Sequence, residues 1–332
     1  MKAIIIGLGS MGRRRARLLH STDDTIRIIG VDTQSERRKQ AEEELHIETE
    51  ESIEKACDFF SPDIAFVSTS PLSHAGIIRE CLDNNLHVFT ELNLVDTEYD
   101  DNIELAKKND RVLFLSSTFL YRKETRYIKS AVQECGCNLS YTYHAGQYLP
   151  DWHPWESYKN FFVGDRRTNG CREFMAIEFP WIIDVFGEVE DLHIIKSSDS
   201  TLDIDFADTY QIMIKHNSGH KGMITIDVVS RKPVRRLEIS GERLYLTWDG
   251  TPDTLKEYDY RNKTDKSINL YEEVERIEGY SSFIIEDAYR SEIENFLGVV
   301  RGKEKPEYSF EKDRRILSLI DRIEAGGARN DE

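Results

Sequence analysis

The chain has 332 residues, enough for one or two domains and a sizeable core. Hydrophobic residues make up 39% and charged residues 32%, which excludes a disordered or membrane-embedded chain and reads as soluble and globular. A net charge of −17 argues against general binding to nucleic acid or an anionic membrane, while leaving room for a local basic pocket.

No apolar run approaches the roughly 20 residues of a transmembrane helix. The opening MKAIIIGLGSMG runs straight into a glycine turn and does not read as a signal peptide. Lys2 to Ile6 is a short strand-like run, followed by the turn GLGSMG and a helix predicted over Arg13 to His20. Ile26 to Val31 is a second apolar run and ends at Asp32; Ser35 to Leu45 is helical, with Glu36 to Glu44 as its solvated face. Strand-like runs then recur at Ile64 to Ser68, Leu86 to Thr90 and Val112 to Ser116. Helical stretches separate them at Ser73 to Asn84 and Glu98 to Asn109. Strands alternating with helices predict βαβ units and a mostly parallel sheet.

After residue 120 the rhythm changes. A helix is predicted over Glu124 to Gln133 and a strand over Asn138 to His144. From Thr209 come TYQIMIKH, GMITIDVV, RRLEISG and RLYLTW, separated by turn residues, which predicts a largely antiparallel sheet. His216 and His220 flank one of these turns and are expected to be solvated rather than to bind metal. Helices return at Ile284 to Val300 and Phe310 to Glu324, and the tail from Gly326 is expected to fray. The last helices are open to packing across both halves. The five cysteines, Cys57, Cys81, Cys135, Cys137 and Cys171, are an odd and scattered set that suits reduced thiols in the cytoplasm. Cys135 and Cys137 lack a second pair or a nearby histidine, so no metal is expected.

Gly7, Gly9, Ser10, Met11 and Gly12 belong to a G-x-G-x-x-G turn that follows a strand and opens a helix. Each glycine has a reason: Gly7 for the tight turn, Gly9 for close approach of a pyrophosphate, Gly12 for packing of the helix on the sheet. The helix N-terminus offers N–H groups to phosphate. Asp32, at the end of the second strand, suits the adenosine ribose hydroxyls and would repel a 2′-phosphate. NAD is therefore favoured, with NADP left open by Arg37 and Arg38.

The stretch STSPLSHAGIIRECLDNNLHVFTE, taken with GLGSMG and VDT, resembles the Gfo/Idh/MocA family of NAD(P)-dependent oxidoreductases. Ser117 to Arg122 looks like the family's strand ending in arginine, and GQYLPDWHPWESY is similar to members found with surface-polysaccharide and amino-sugar genes. WIIDVFGE, RRLEISGE, LTWD and SEIENFLGVVRGKEKP extend the likeness over nearly the whole chain. The resemblance implies an α/β protein. An N-terminal Rossmann domain with a parallel sheet is expected over residues 1–120, and a C-terminal α+β domain with a large mostly antiparallel sheet over 121–332. It implies sugar-like substrates bound at their junction and a homodimer or homotetramer through the C-terminal sheet. It also places Ser68, Thr69, Ser70, His74 and Glu91 with the cofactor.

Two landmarks of that family are altered. Its E-K-P reads Glu91-Leu92-Asn93 here, so leucine stands where typical members use lysine to move the proton of the reacting hydroxyl. Its D-x-x-x-H or H-x-x-D pattern places Ile177 at the histidine and Pro180 at the aspartate; the helix keeps Glu178 and introduces Arg172 and Glu173. Leucine has no donor, acceptor or titratable proton. His153, Tyr148 and Glu178 are the candidates to carry the proton instead; for each, a loop-anchoring, packed or ion-paired role is the alternative. Tyr121, Arg122, Asp151, Trp155 and Arg172 are candidates for substrate contact, with structural ion pairs and core packing as their alternatives. The expected function is an NAD(P)-dependent oxidoreductase or redox epimerase of a sugar, amino sugar or sugar nucleotide, in surface-polysaccharide biosynthesis by analogy. The competing expectation is an inactive NAD-binding sensor or scaffold.

Overall fold

The computed structural model describes residues 1–152, 156–275, 277 and 281–327. The chain divides into two compact units. The first is Met1–Thr118 with Ala288–Arg314, and the second is Phe119–Asp287 with Arg315 onward. A segment far along the sequence, Ala288–Arg314, thus belongs to the N-terminal unit.

In the first unit, β1 (Lys2–Ile6), β2 (Arg27–Val31), β3 (Glu48–Glu50), β4 (Ile64–Val67), β5 (His87–Thr90) and β6 (Leu113–Leu115) form one sheet in the order β3-β2-β1-β4-β5-β6. Every neighbouring pair is parallel, as βαβ connections require. The connecting helices are α1 (Ser10–Thr22), α2 (Ser35–Leu45), α3 (Ile53–Phe60), α4 (His74–Asp83) and α5 (Tyr99–Lys108). Only Ala41 of α2 is buried, so its charged run is a solvated face. Ile64, Ala65, Phe66 and Val67 of β4 are all fully buried, the continuous apolar run of a strand covered on both faces. Phe66, Phe89 and Phe114 come from three successive strands. Phe296 meets all three, with ring centroids 5.4–5.6 Å away. Each such ring contributes about 1.5–3 kcal/mol of burial, which docks the late segment on the sheet.

In the second unit, α6 (Lys123–Cys135) leads to β7 (Ser140–Gly146), and α7 (Gly170–Phe186) follows a stretch of short turns. Then come β8 (Val189–Ser197), β9 (Thr209–His216), β10 (Lys221–Asp227), β11 (Val234–Ser240), β12 (Tyr245–Trp248), β13 (Lys256–Asp259) and β14 (Thr264–Ser267). With β7 they form an eight-stranded sheet, β14-β13-β12-β11-β7-β10-β9-β8, parallel only between β7 and β10. Along β9, Tyr210, Ile212, Ile214 and His216 are buried while Gln211, Met213 and Lys215 are exposed, so the sheet has one packed and one open face. The last two helices are α8 (Glu286–Val300) and α9 (Phe310–Glu324).

Several expectations are corrected. Thr118–Tyr121 is a turn of 3-10 helix rather than strand. His216 is buried, with Nε2 2.9 Å from the Tyr141 hydroxyl and Nδ1 2.6 Å from the Gly187 carbonyl, so it is not solvated. His220 Nδ1 accepts from the Leu139 amide.

One buried charge cluster ties the first unit together. Arg15 of α1 is fully buried; its Nε donates to Glu91 Oε1 at 2.6 Å and its Nη2 to Glu292 Oε2 at 2.7 Å. Glu292 also accepts from the Ser117 amide at 2.6 Å and the hydroxyls of Ser116 and Thr118. Burial pushes the Glu292 carboxyl above the ordinary range, partly offset by Arg15. Removing one partner of such a cluster strands the others' charge in low dielectric. Arg15→Ala is expected to destabilise the protein by about 3–5 kcal/mol at neutral pH. Its deficit should shrink as pH falls and the two carboxyls take up protons, read from urea unfolding followed by circular dichroism at several pH values.

Candidate active site

The turn between β1 and α1 is built from its three glycines. Gly7 has φ +89°, and a Cβ there would lie 2.6 Å from the Ser68 carbonyl oxygen. A Cβ at Gly12 would lie 1.8 Å from the Gly7 carbonyl, so only glycine lets α1 start this close to the turn. A Cβ at Gly9 would meet nothing within 4 Å, which leaves its face open to a ligand. The first turn of α1 has no acidic residue and no side-chain cap, so its N-terminal charge is not neutralised from within. Ser10 and Met11 form that first turn; Met11 Sδ is 3.0 Å from Arg14 Nη1.

Asp32 closes the next position. It is 7% exposed, with Oδ2 accepting from the Leu8 amide and Oδ1 from the Gln34 amide, both at 2.9 Å. Each oxygen retains a lone pair for a hydroxyl. Arg38 donates to the Asp32 carbonyl, and Arg37 lies 3.8 Å from the carboxylate, so both basic residues are drawn to Asp32.

At the end of β4, Ser68 Oγ is buried with no hydrogen-bond partner, a vacancy that a bound cofactor can satisfy. The Thr69 and Ser73 hydroxyls lie 2.9 Å apart, and Ser73 Oγ donates to the Ser70 carbonyl, which shapes the loop. His74 sits beneath this loop. Its Nε2 is 3.0 Å from the Thr69 carbonyl and its Nδ1 2.6 Å from the Asn93 side-chain oxygen. Burial pushes the imidazole pKa down, so the ring is neutral and donates only once. With Nε2–H given to Thr69, the Asn93 amide must present its nitrogen to Nδ1; that nitrogen is otherwise buried without a partner. His74 thus positions the cofactor loop from below, and Asn93, which the sequence reading passed over, positions His74. Glu91 has both oxygens on Arg15. Leu92 beside it is half-buried.

The second unit holds the remaining candidates. His153 and Trp155 lie outside the described residues. Tyr148 is half-buried with the Arg231 guanidinium 3.6 Å over its ring. Asp151 is exposed in a short 3-10 turn, and Trp152 packs edge-to-face on Phe174 at 5.0 Å. A Cβ at Gly170 would meet Leu149 and Trp152, so this loop lies on the first turn of α7.

Glu178 is 1% exposed. Its Oε2 accepts from the Tyr143 hydroxyl at 2.6 Å and Trp181 Nε1 at 2.7 Å, and its Oε1 accepts from Arg235 Nε at 2.7 Å. Arg172 is bound to Asp321 and Glu324 of α9 at 2.8 and 2.6 Å. Arg122 is bound to Glu124 at 2.6 Å, stacks over Trp248 and shares Glu124 with the Tyr271 hydroxyl. Tyr121 is buried beneath the Arg126 guanidinium. These charged candidates therefore do not converge on one point; each is engaged in its own ion pair.

Glu173 differs. It is half-buried on α7, its Oε2 is shielded and has no hydrogen-bond partner, and burial pushes its pKa up to about 7 against the opposing pull of Arg235. The sequence reading had noted it only as an added charge; a carboxylate on an otherwise apolar helix was the available signal.

Residues 1–117 match the family model described as "Oxidoreductase family, NAD-binding Rossmann fold" (GFO_IDH_MocA). No curated protein matches the chain in sequence. Among solved structures, levoglucosan dehydrogenase in complex with NADH superposes with a TM-score of 0.82 at 13% identity, covering 99% of this chain and 97% of that one. UDP-N-acetylglucosamine 3-dehydrogenase from Acidithiobacillus ferrooxidans gives 0.74 at 17% identity, over 98% and 97%. An oxidoreductase from Agrobacterium radiobacter in complex with NAD+, L-tartaric acid and magnesium gives 0.79 at 12% identity, over 99% and 96%. At these identities the likeness is one of fold.

Two variants separate folding from binding in the glycine turn. Gly9→Ala is expected to leave stability within about 1 kcal/mol of wild type while abolishing NADH binding, followed by nicotinamide fluorescence. Gly12→Ala is expected to lower the unfolding midpoint as well. Asp32→Asn keeps the shape but removes the charge. It should weaken NAD by roughly tenfold and narrow the discrimination against NADP in the same titration.

Proposed function

We propose that this protein, which belongs over residues 1–117 to the Gfo/Idh/MocA family of NAD-binding oxidoreductases, oxidises or reduces a secondary hydroxyl or ketone of a sugar, amino sugar or sugar nucleotide. The observation that carries the reading is the intact cofactor cradle: the open face of Gly9, the orphaned Ser68 Oγ and the Asp32 carboxylate. NAD is preferred over NADP because Asp32 keeps its charge and both neighbouring arginines lean on it.

Bound NAD supplies the hydride acceptor. The chain's own tasks are to hold the dinucleotide, orient the hydroxyl and move one proton at the substrate oxygen. Leu92 cannot do the last of these. His153 and Tyr148 remain proposed as proton carriers, while Glu178 is better suited to hold Arg235 in place, since all its contacts are donors already committed to it. Tyr121, Arg122 and Arg172 are proposed to support the substrate side by fixing the local backbone; Asp151 and Trp155 remain proposed sugar contacts. A transient oxidation followed by re-reduction would give an epimerase without net use of NAD. A role in surface-polysaccharide biosynthesis rests on the likeness of the segment Gly146 to Tyr158.

A second reading, an NAD-binding sensor without turnover, is favoured by Leu92 and by the engagement of Glu178, Arg122 and Arg172 in ion pairs. Absorbance at the NADH band decides between them. Purified protein is mixed with NAD and, in turn, UDP-N-acetylglucosamine, other UDP-amino sugars and levoglucosan, or with NADH and the corresponding keto-sugars. Turnover of any of them supports the oxidoreductase; NADH binding with no turnover across the panel supports the sensor.

The open face of the eight-stranded sheet carries Ile195, Met213 and Met223, exposed by 70, 57 and 57%, with Met213 directly opposite Met223 in register. An apolar patch of this kind is proposed to be the self-association face of a homodimer or homotetramer. Among the described residues no helix is long and apolar enough to cross a membrane. Met213→Glu with Met223→Glu is expected to convert the oligomer to monomer in sedimentation velocity, with little change in NADH binding.

A further inference from the structure

From Gly170 to Ile182, every residue of α7 is buried except Glu173 and Ile177. They are four apart and so share one face, a narrow half-open stripe on a helix otherwise closed all round. Trp152 packs on Phe174 next to Glu173, and the Tyr148 to Trp152 loop covers the helix start at Gly170. One oxygen of Glu173 is shielded from solvent and meets no donor. A buried, unpartnered carboxyl oxygen is costly and is retained where a ligand or a proton completes it.

The geometry points to Glu173 as the group that exchanges a proton with the substrate hydroxyl in this chain, where position 92 is leucine. This rests on the oxidoreductase reading above. In oxidation, the carbinol C–H bond breaks and its hydride, with two electrons, passes to NAD+. The O–H proton passes to the Glu173 carboxylate, leaving a ketone and a neutral carboxylic acid. Reduction reverses both transfers.

The surroundings keep this carboxyl adjustable. Arg235, reaching from β11, is the charge that opposes its protonation, but the Arg235 Nε is committed to Glu178 and its guanidinium is flanked by Phe119, Phe174 and Phe283. From the loop over the helix start, Tyr148 faces Arg231 and Asp151 is solvent-exposed. On α7 itself, Arg172 is held by Asp321 and Glu324. A carboxyl with a pKa near 7 can accept a proton in one direction and return it in the other at neutral pH.

The test compares wild type, Glu173→Gln and Glu173→Asp. Turnover is measured with NAD and the same UDP-amino sugars and levoglucosan, NADH binding by fluorescence, and unfolding by circular dichroism. Glu173→Gln is expected to lower kcat by roughly 10²- to 10⁴-fold, with NADH affinity unchanged and partial recovery in Glu173→Asp. In the oxidation direction, wild-type kcat should fall below pH about 7, where the carboxyl is protonated, and Glu173→Gln should lose that dependence. A substrate-free readout runs in parallel. The folded state holds this proton more tightly than the unfolded state, so wild type loses stability relative to Glu173→Gln as pH rises from about 4.5 to about 7, and the difference then levels. A difference that stays flat across that window overturns the proposal, as does a Glu173→Gln variant that turns over at the wild-type rate. Wild type that turns over nothing in the panel overturns the oxidoreductase reading first, and this proposal with it.

Discussion

The buried guanidinium of Arg15 is the constraint from which the nucleotide-binding unit is assembled. It lies three residues beyond Gly12, in the helix whose N-terminus faces the phosphates, and it holds Glu91 at the end of β5 and Glu292 in α8. Three elements distant in sequence are thereby fixed around one charge. The Phe89 ring, 4.5 Å below the guanidinium, closes the site to water from the sheet side. A buried arginine with two carboxylates gains little over an apolar core, but each member becomes indispensable once the others are present. Specificity of arrangement follows: α1 cannot rotate without breaking it, and Leu92 begins from a glutamate that cannot move.

A second layer of positioning runs through His74. A neutral imidazole held between Thr69 and Asn93 fixes the loop after β4, the loop that also forbids any side chain at Gly7. Asn93 occupies the position after the missing lysine, so the stretch Glu91-Leu92-Asn93 has exchanged one acid–base residue for a purely structural pair flanking a leucine. The surrounding fold is undisturbed: the neighbouring side chains are buried and paired.

In the second unit the charged residues that stand out in the sequence are mostly engaged with one another. Glu178 anchors Arg235, Arg172 joins α7 to α9, and Arg122 closes on Glu124 above Trp248. Each is too buried to be left unpaired. The carboxyl that lacks a partner is one to which the sequence draws little attention. Its neighbours determine its behaviour: Glu178 has the Arg235 Nε, and Glu173 feels only the residual field of the same guanidinium.

Local chemistry is legible without coordinates. The strands β1, β9 and the helices α2 and α9 begin and end where hydrophobic period and turn residues place them, because those signals act over a few residues. The glycine turn and Asp32 are likewise local, and their roles follow from backbone geometry that only certain residues permit. The edge strands β3, β13 and β14 are short and polar and carry no such period; β14 is exposed throughout. What the sequence alone determined was the βαβ rhythm, the open-faced antiparallel sheet, the dinucleotide cradle and the absence of a lysine beside Glu91. What only the tertiary structure decided was partnership. Arg15 meets Glu292 across 277 residues, Ala288–Arg314 returns to the first unit, and of two glutamates five residues apart on α7 one is saturated and the other is not. The reason is physical. Periodicity reports which face is buried, whereas the fate of a buried charge depends on groups that the chain brings to it from far away.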